Sequence, residues 1–185
     1  MEMFEYVAVL TSIIMGLGIA HLLQGAARLI QHPGQDRVYW VHLAWVVYSF
    51  FWAIFWWWFE FQLVQVEVWT FPLYLFVILY AVLIYMVCAL LFPLSLAGYD
   101  GFKDYFLSRR AWFFGLWVLI VLLDIGDSWL KGAEHFASLG PRYIPIQIGL
   151  AALFVVAGRT RNERFHAFFV VSLLVGQLVS LTTAN

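Results

Sequence analysis

Residues 111–131 read AWFFGLWVLIVLLDIGDSWLK. The first thirteen, Ala111 to Leu123, carry no charge; then Asp124 and Asp127 arrive three positions apart, with Ser128 and Lys131 close behind. A spanning helix needs about 20 mostly apolar residues, and this stretch has them. At the centre of such a helix an Asp costs about 2.5 to 3.5 kcal/mol, which the flanking Leu, Ile, Val and Phe offset for the segment as a whole. The stretch therefore reads as a membrane span that keeps two acids. Their spacing puts Asp124, Asp127, Ser128 and Lys131 on one helix face, with Asp127 and Lys131 at the (i, i+4) separation of an ion pair. The same face continues through Ile120, Trp117 and Phe113, which are apolar, so the polar strip is expected to open at one end only. Counted from Arg110 at 1.5 Å per residue, Asp124 stands roughly 21 Å and Asp127 about 25 Å along the helix. In a hydrocarbon core of about 30 Å, Asp124 is then expected in the outer half and Asp127 at the hydrated rim.

Working outward, the 185-residue chain is 64% hydrophobic, 20% aromatic and 11% charged, against roughly 25% charged in a typical soluble domain. A soluble fold of this size could not hide so much apolar surface, so the class is integral membrane protein. Six stretches are long enough to span: about 4–29, 38–59, 70–96, 111–130, 142–159 and 164–183. Between them lie His32-Pro33-Gly34-Gln35-Asp36, the polar link from Gly98 to Arg110, the segment from Lys131 to Pro141, and the turn from Gly158 to Glu163. Short connectors make consecutive helices antiparallel neighbours, so the expected fold is all-α: one compact six-helix domain over residues 1–185. The start, MEMFEY, has two Glu and no Lys or Arg, the wrong charge for a signal peptide, and reads as a retained first helix.

Orientation follows from the basic residues. Arg28 and Arg37, then Lys103, Arg109 and Arg110, then Arg159, Arg161 and Arg164 lie after the first, third and fifth stretches, against only Lys131 and Arg142 on the other side. Short cytoplasmic loops retain Lys and Arg, so both termini are expected outside, facing the periplasm if this is a bacterial inner membrane. With a net charge of −1 and no basic face, nucleic acid is not an expected partner. Cys88, the single cysteine, has no pairing or metal-site spacing and reads as a small core residue.

The stretch FFWAIFWWWFEF, residues 50–61, places Trp52, Trp56, Trp57 and Trp58 near the outer end, with Trp69 and Trp129 expected at the same level. This is the pattern of an aromatic belt at the headgroups. An aromatic cage for a quaternary ammonium is the sharper alternative. Three consecutive Trp point in directions about 100° apart, so they cannot all line one cage. The connector VQVEVW, residues 64–69, alternates apolar and polar side chains as an extended segment or interfacial strap does.

In the first stretch Glu5 and Ser12 share a face near the outer end, while His21, Gly25 and Arg28 share another, so no unbroken polar file runs along it. Gly16, Gly18, Ala20 and Gly25 give it a thin side that a neighbour can approach. His42 and His166 each lie about one turn from the cytoplasmic side, at the similar height a bis-His haem requires; interfacial snorkelling is the plainer account. Gln24, Gln147 and Gln177 are able to bond across helices. There is no Gly-rich phosphate loop, no His-Glu-x-x-His and no Gly-x-Ser-x-Gly, and no internal repeat of the kind that builds inverted-repeat transporters. Neither a cofactor nor a metal is implied, and enzymatic activity is disfavoured.

Three functions are compatible with these residues. The first is permeation of an ion or a proton-coupled small solute, by a homo-oligomer or compact carrier in the lipid bilayer. It places Asp124, Asp127, Lys131 and Glu5 at the outer mouth, His21 on the inner half, and Arg28, His42 and His166 at the inner side. The second is a non-catalytic subunit, sensor or anchor for a membrane-protein partner. Its contact element is YDGFKDYFLSRR, residues 99–110, whose Phe102, Tyr105 and Phe106 alternate with charges. The third is a membrane redox enzyme using the inner histidines. Acids placed within a span favour the first.

Overall fold

A computed structural model describes residues 3–66 and 68–183. The chain forms α1 (Met3–Gln31), α2 (Trp40–Glu60) continued by a 3-10 turn (Phe61–Gln65), α3 (Phe71–Leu91), α4 (Phe102–Leu130), the short α5 (Ala133–Ser138), α6 (Tyr143–Arg159) and α7 (Glu163–Thr183). Among the described residues there is no strand. Five helical segments among the described residues, Met3–Gln31, Trp40–Gln65, Phe71–Leu91, Phe102–Leu130 and Glu163–Ser180, are long and apolar enough to cross a membrane. The protein is a helical membrane bundle. The sixth expected span, α6, has 17 residues; at 1.5 Å each it reaches about 26 Å, a few ångströms short of a typical core.

Two helix ends differ from the sequence reading, each for a local reason. α3 stops at Leu91 because Pro93 has no N–H to donate and forces the residue before it out of the helical region: Phe92 is extended, with φ −124° and ψ 99°. α4 begins at Phe102, nine residues earlier than hydropathy suggests, behind Gly101 at φ 91°, a conformation glycine adopts without strain. Residues 102–110 are therefore part of a spanning helix and not a separate interfacial one. Phe102, Tyr105 and Phe106 turn inward and are buried, so the aromatic face expected to meet a partner is consumed by the chain's own packing. Of the connector 64–69, Val64 and Gln65 finish the 3-10 turn, Val66 is extended with φ −73° and ψ 108°, and Glu67 lies outside the described residues.

Helix pairing is only partly sequential. α1 lies along α3, α4 lies against both α6 and α3, and α7 packs chiefly on α2 instead of on its sequence neighbour α6. The α1–α3 contact uses part of the thin side: Gly18 sits over Tyr85 and Cys88, and Gly25 faces the ring of Phe92, whereas Gly16 points away from any neighbour. At mid-bundle α2, α4, α6 and α7 meet in a knot of rings. The buried Trp45 lies edge-on to Phe113 and Phe114 at 5.3 and 5.2 Å, and Trp117 stacks on Phe154 at 5.6 Å. Each such pair adds about 0.5–1.5 kcal/mol beyond the burial itself.

This knot divides the molecule into two ends. The starts of α1, α3 and α6 and the finish of α2 and α4 form one, called here the carboxylate end. The other, called the arginine end, is tied by Arg37–Asp100 at 2.8 Å and by Lys103–Glu163 at 2.7 Å, which joins α4 to α7.

Candidate functional site

At the carboxylate end, the (i, i+4) pair anticipated on α4 is formed: Lys131 Nζ lies 2.5 Å from Asp127 Oδ2. A third group, unmarked by any spacing in the sequence, completes it. Glu60, the last residue of α2, brings Oε1 to 2.8 Å from the same ammonium. The trio is dry: Glu60, Asp127 and Lys131 are 4%, 1% and 6% exposed. Asp127 was expected at the hydrated rim and is instead the most deeply buried acid of the group, because α2 closes over its face of α4. Height along a helix axis says nothing about which side a neighbour covers.

Asp124, one turn deeper, is only half-buried and is held by neutral donors. Tyr80 Oη on α3 donates to Oδ1 at 3.2 Å. Tyr143 Oη on α6 donates to Oδ2 at 2.6 Å, and Gln147 Nε2, a turn further along α6, donates to the same oxygen. The phenol of Tyr143 has one hydrogen and gives it to the carboxylate, so Ser128 Oγ, 2.8 Å away, donates to Tyr143. Gln147, read from sequence as a plain interhelical bond, thus belongs to the site. Four elements converge here: α2, α3, α4 and α6.

Charge is unbalanced in this nest. Glu60 and Asp127 share one ammonium while Asp124 beside them has only neutral partners, and among the described residues neither Oδ1 of Asp127 nor Oε2 of Glu60 has a hydrogen-bond donor. Burial opposes the charge on Lys131, but Asp127 and Glu60 outweigh it and hold the ammonium's pKa above its ordinary value. The lysine is therefore the fixed positive charge, and the surplus lies with the acids. Buried ions are costly unless paired, so the arrangement has the chemistry to take up a proton or a second cation. Beside it on α5, burial and the Lys131 ammonium lower the pKa of His135, against the pull of Asp127 and Asp124. Among the described residues no three His, Cys, Asp or Glu side chains are arranged as a metal site. Glu5 lies exposed in the first turn of α1.

The histidines form a different structure at the arginine end. The carbonyls that close a helix lack partners within it, and three at the end of α3 are each met from another helix. Tyr105 Oη on α4 donates to Leu90 O at 2.7 Å, His42 Nε2 on α2 bonds Leu91 O at 2.6 Å, and His21 Nε2 on α1 bonds Phe92 O at 2.8 Å. A carbonyl accepts, so each of these rings carries its proton on Nε2. His166 makes the same kind of bond, to Thr160 O at 3.0 Å just beyond α6. The ring of Phe106 packs against both His42 and His166, with centroids 6.4 and 5.6 Å away, and fills the space a haem between them would need. His21, His42 and His166 thus serve as helix caps at the arginine end.

Arg28 pairs loosely with Asp36 at 3.6 Å. Together with Arg37 and Asp100 it lines a polar cavity of about 550 Å³ at the arginine end, where each arginine is matched by an aspartate. Comparison with family models, with characterised proteins and with solved structures finds no match.

Proposed function

We propose that the chain mediates passage of a proton or cation, or of a small solute coupled to one, with the carboxylate end as its entry site. The observation that carries this reading is the unequal charge count at Glu60, Asp124, Asp127 and Lys131 in a membrane-embedded setting. Ionisable groups in such positions mark pathways more often than they serve packing. Asp124 is the exchanging group: it is half-buried, bound only by neutral side chains, and adjacent to a fixed ion trio. The aromatic knot below it stands as the closed barrier, so passage requires a change of packing or a path between copies of the chain.

The same proposal includes six spans with both termini outside, in a bacterial inner membrane, since eight of the ten Lys and Arg residues precede or follow the arginine-end loops. Purified protein in liposomes is expected to dissipate an imposed proton or monovalent-cation gradient, and Asp124→Asn to abolish this while leaving thermal stability intact. Equal leakage in wild type, Asp124→Asn and empty liposomes removes the proposal.

A second reading, a subunit or anchor for another membrane protein, is favoured by α7. It packs chiefly on α2 and leaves Phe168, Ser172 and Gly176 exposed along one side. Recovery of the chain from native membrane at fixed stoichiometry with another protein, lost on Gly176→Leu, would support it.

A further inference from the structure

Between α1, the end of α2 with its 3-10 turn, and α3 lies a cavity of about 420 Å³ at the carboxylate end. Its walls are mostly apolar: Phe4 and Val7 from α1, Trp57 and Trp58 from α2, Leu63 from the turn, Val77 from α3. Glu60 is also part of the wall, and is the residue common to this cavity and the ion trio. The three consecutive tryptophans divide as helix geometry demands. Trp56 is buried with its ring 5.1 Å from that of Tyr80, while Trp57 and Trp58 face the cavity, Trp58 being 75% exposed.

We propose that this cavity binds a lipophilic ammonium, its apolar chain along Phe4, Val7, Leu63 and Val77 and its cationic head beside Glu60 and the two indoles. Three features point to a cation and not to a neutral lipid tail. Glu60 and Asp127 share the one ammonium of Lys131, so the wall behind the cavity holds one carboxylate more than it has cations to match it. Fields from buried charge reach further in a low-dielectric surround than in water. Indole faces attract cations electrostatically, most strongly where water is excluded. A neutral chain would gain from the apolar walls alone and leave the extra carboxylate without a cation. The inference rests on the same charge count as the permeation reading, and names the class of solute it would admit; it does not require that anything be transported.

Binding is tested on the whole protein in nanodiscs of zwitterionic lipid, by tryptophan fluorescence, with empty nanodiscs subtracted. Octyltrimethylammonium is expected to change the emission saturably, and octanol to do so at least about tenfold more weakly. Glu60→Gln should lose the preference for the cation. Trp58→Ala, at an exposed position where folding is not at stake, should weaken octyltrimethylammonium about tenfold and octanol little. Equal affinity for the alcohol and the ammonium in wild type, or no saturable change with either, overturns the inference. Saturable cation binding without gradient dissipation would retain it and remove permeation; dissipation without binding would do the reverse.

Discussion

The carbonyl oxygen of Leu91 has a donor in the ring of His42, which is itself fully buried and stacked on Phe102 at 4.7 Å. Removing that donor leaves a dry acceptor unsatisfied, at a cost of about 1–3 kcal/mol. His42→Ala should therefore lower thermal stability by that order in lipid nanodiscs, and His42→Gln should recover part of the loss. Lys131 gives the opposite kind of test. Lys131→Met strands Glu60 and Asp127 beside each other and is expected to cost about 3–5 kcal/mol, as breaking a buried pair does. Adding Glu60→Gln and Asp127→Asn should restore most of it, because the combined variant has no buried charge left at the trio. His135 adds a pH dependence. Its folded pKa is lowered, so the unfolded chain takes up a proton first as pH falls. The contribution to stability is present above the ordinary histidine value near 6.5 and is lost as pH drops through the lowered one. Melting curves across that range should show a slope that His135→Gln removes. At this scale the sequence was legible where partners share a helix: Asp127 and Lys131 announce each other by spacing. Glu60, Tyr80 and Tyr143 did not, because nothing local encodes which helix faces α4.

α3 illustrates how a single element is bounded. A proline ends it, Thr70 caps its start by accepting from Leu73 N at 3.4 Å, and side chains from α1, α2 and α4 take up its last carbonyls. Its contact with α1 is set by two glycines, and substitution separates them from the third. A methyl group at Gly25 would meet the Phe92 ring, so Gly25→Ala should destabilise by about 1–3 kcal/mol, the range for overpacking. Gly16 has no neighbour within 4 Å, so Gly16→Ala should be neutral or stabilise by about 0.5–1 kcal/mol through helix propensity. Thermal denaturation of both variants checks the pair. Glycine content alone marked α1 as thin; which glycines meet a neighbour depends on the rotation of the helix. The start of α4 was misplaced for a related cause. Lys103, Asp104, Arg109 and Arg110 lower the hydropathy of a segment whose opposite face, Phe102, Tyr105 and Phe106, is as buried as any in the bundle.

For the molecule as a whole, composition and hydropathy were enough to assign an all-helical membrane bundle, because burying this much apolar surface leaves few alternatives. Packing order was less legible, since α7 crosses to α2 where short loops suggested adjacency to α6. Sidedness is open to a direct measurement with a single-cysteine series built on Cys88→Ser. Gln35→Cys and Ala97→Cys are expected to react with an impermeant maleimide from one side, and Ser138→Cys from the other; all three positions are exposed. Labelling of all three from one side would mean that α4 does not cross between them as proposed.

The caps on α3 also bear on biogenesis. Two of its closing carbonyls are met by His21 and His42, already synthesised when Phe92 leaves the ribosome, and the third waits for Tyr105, thirteen residues later in the chain. The N-terminal three helices can thus begin to lock together while translation is still under way, and α4 arrives to a partner whose end is nearly finished.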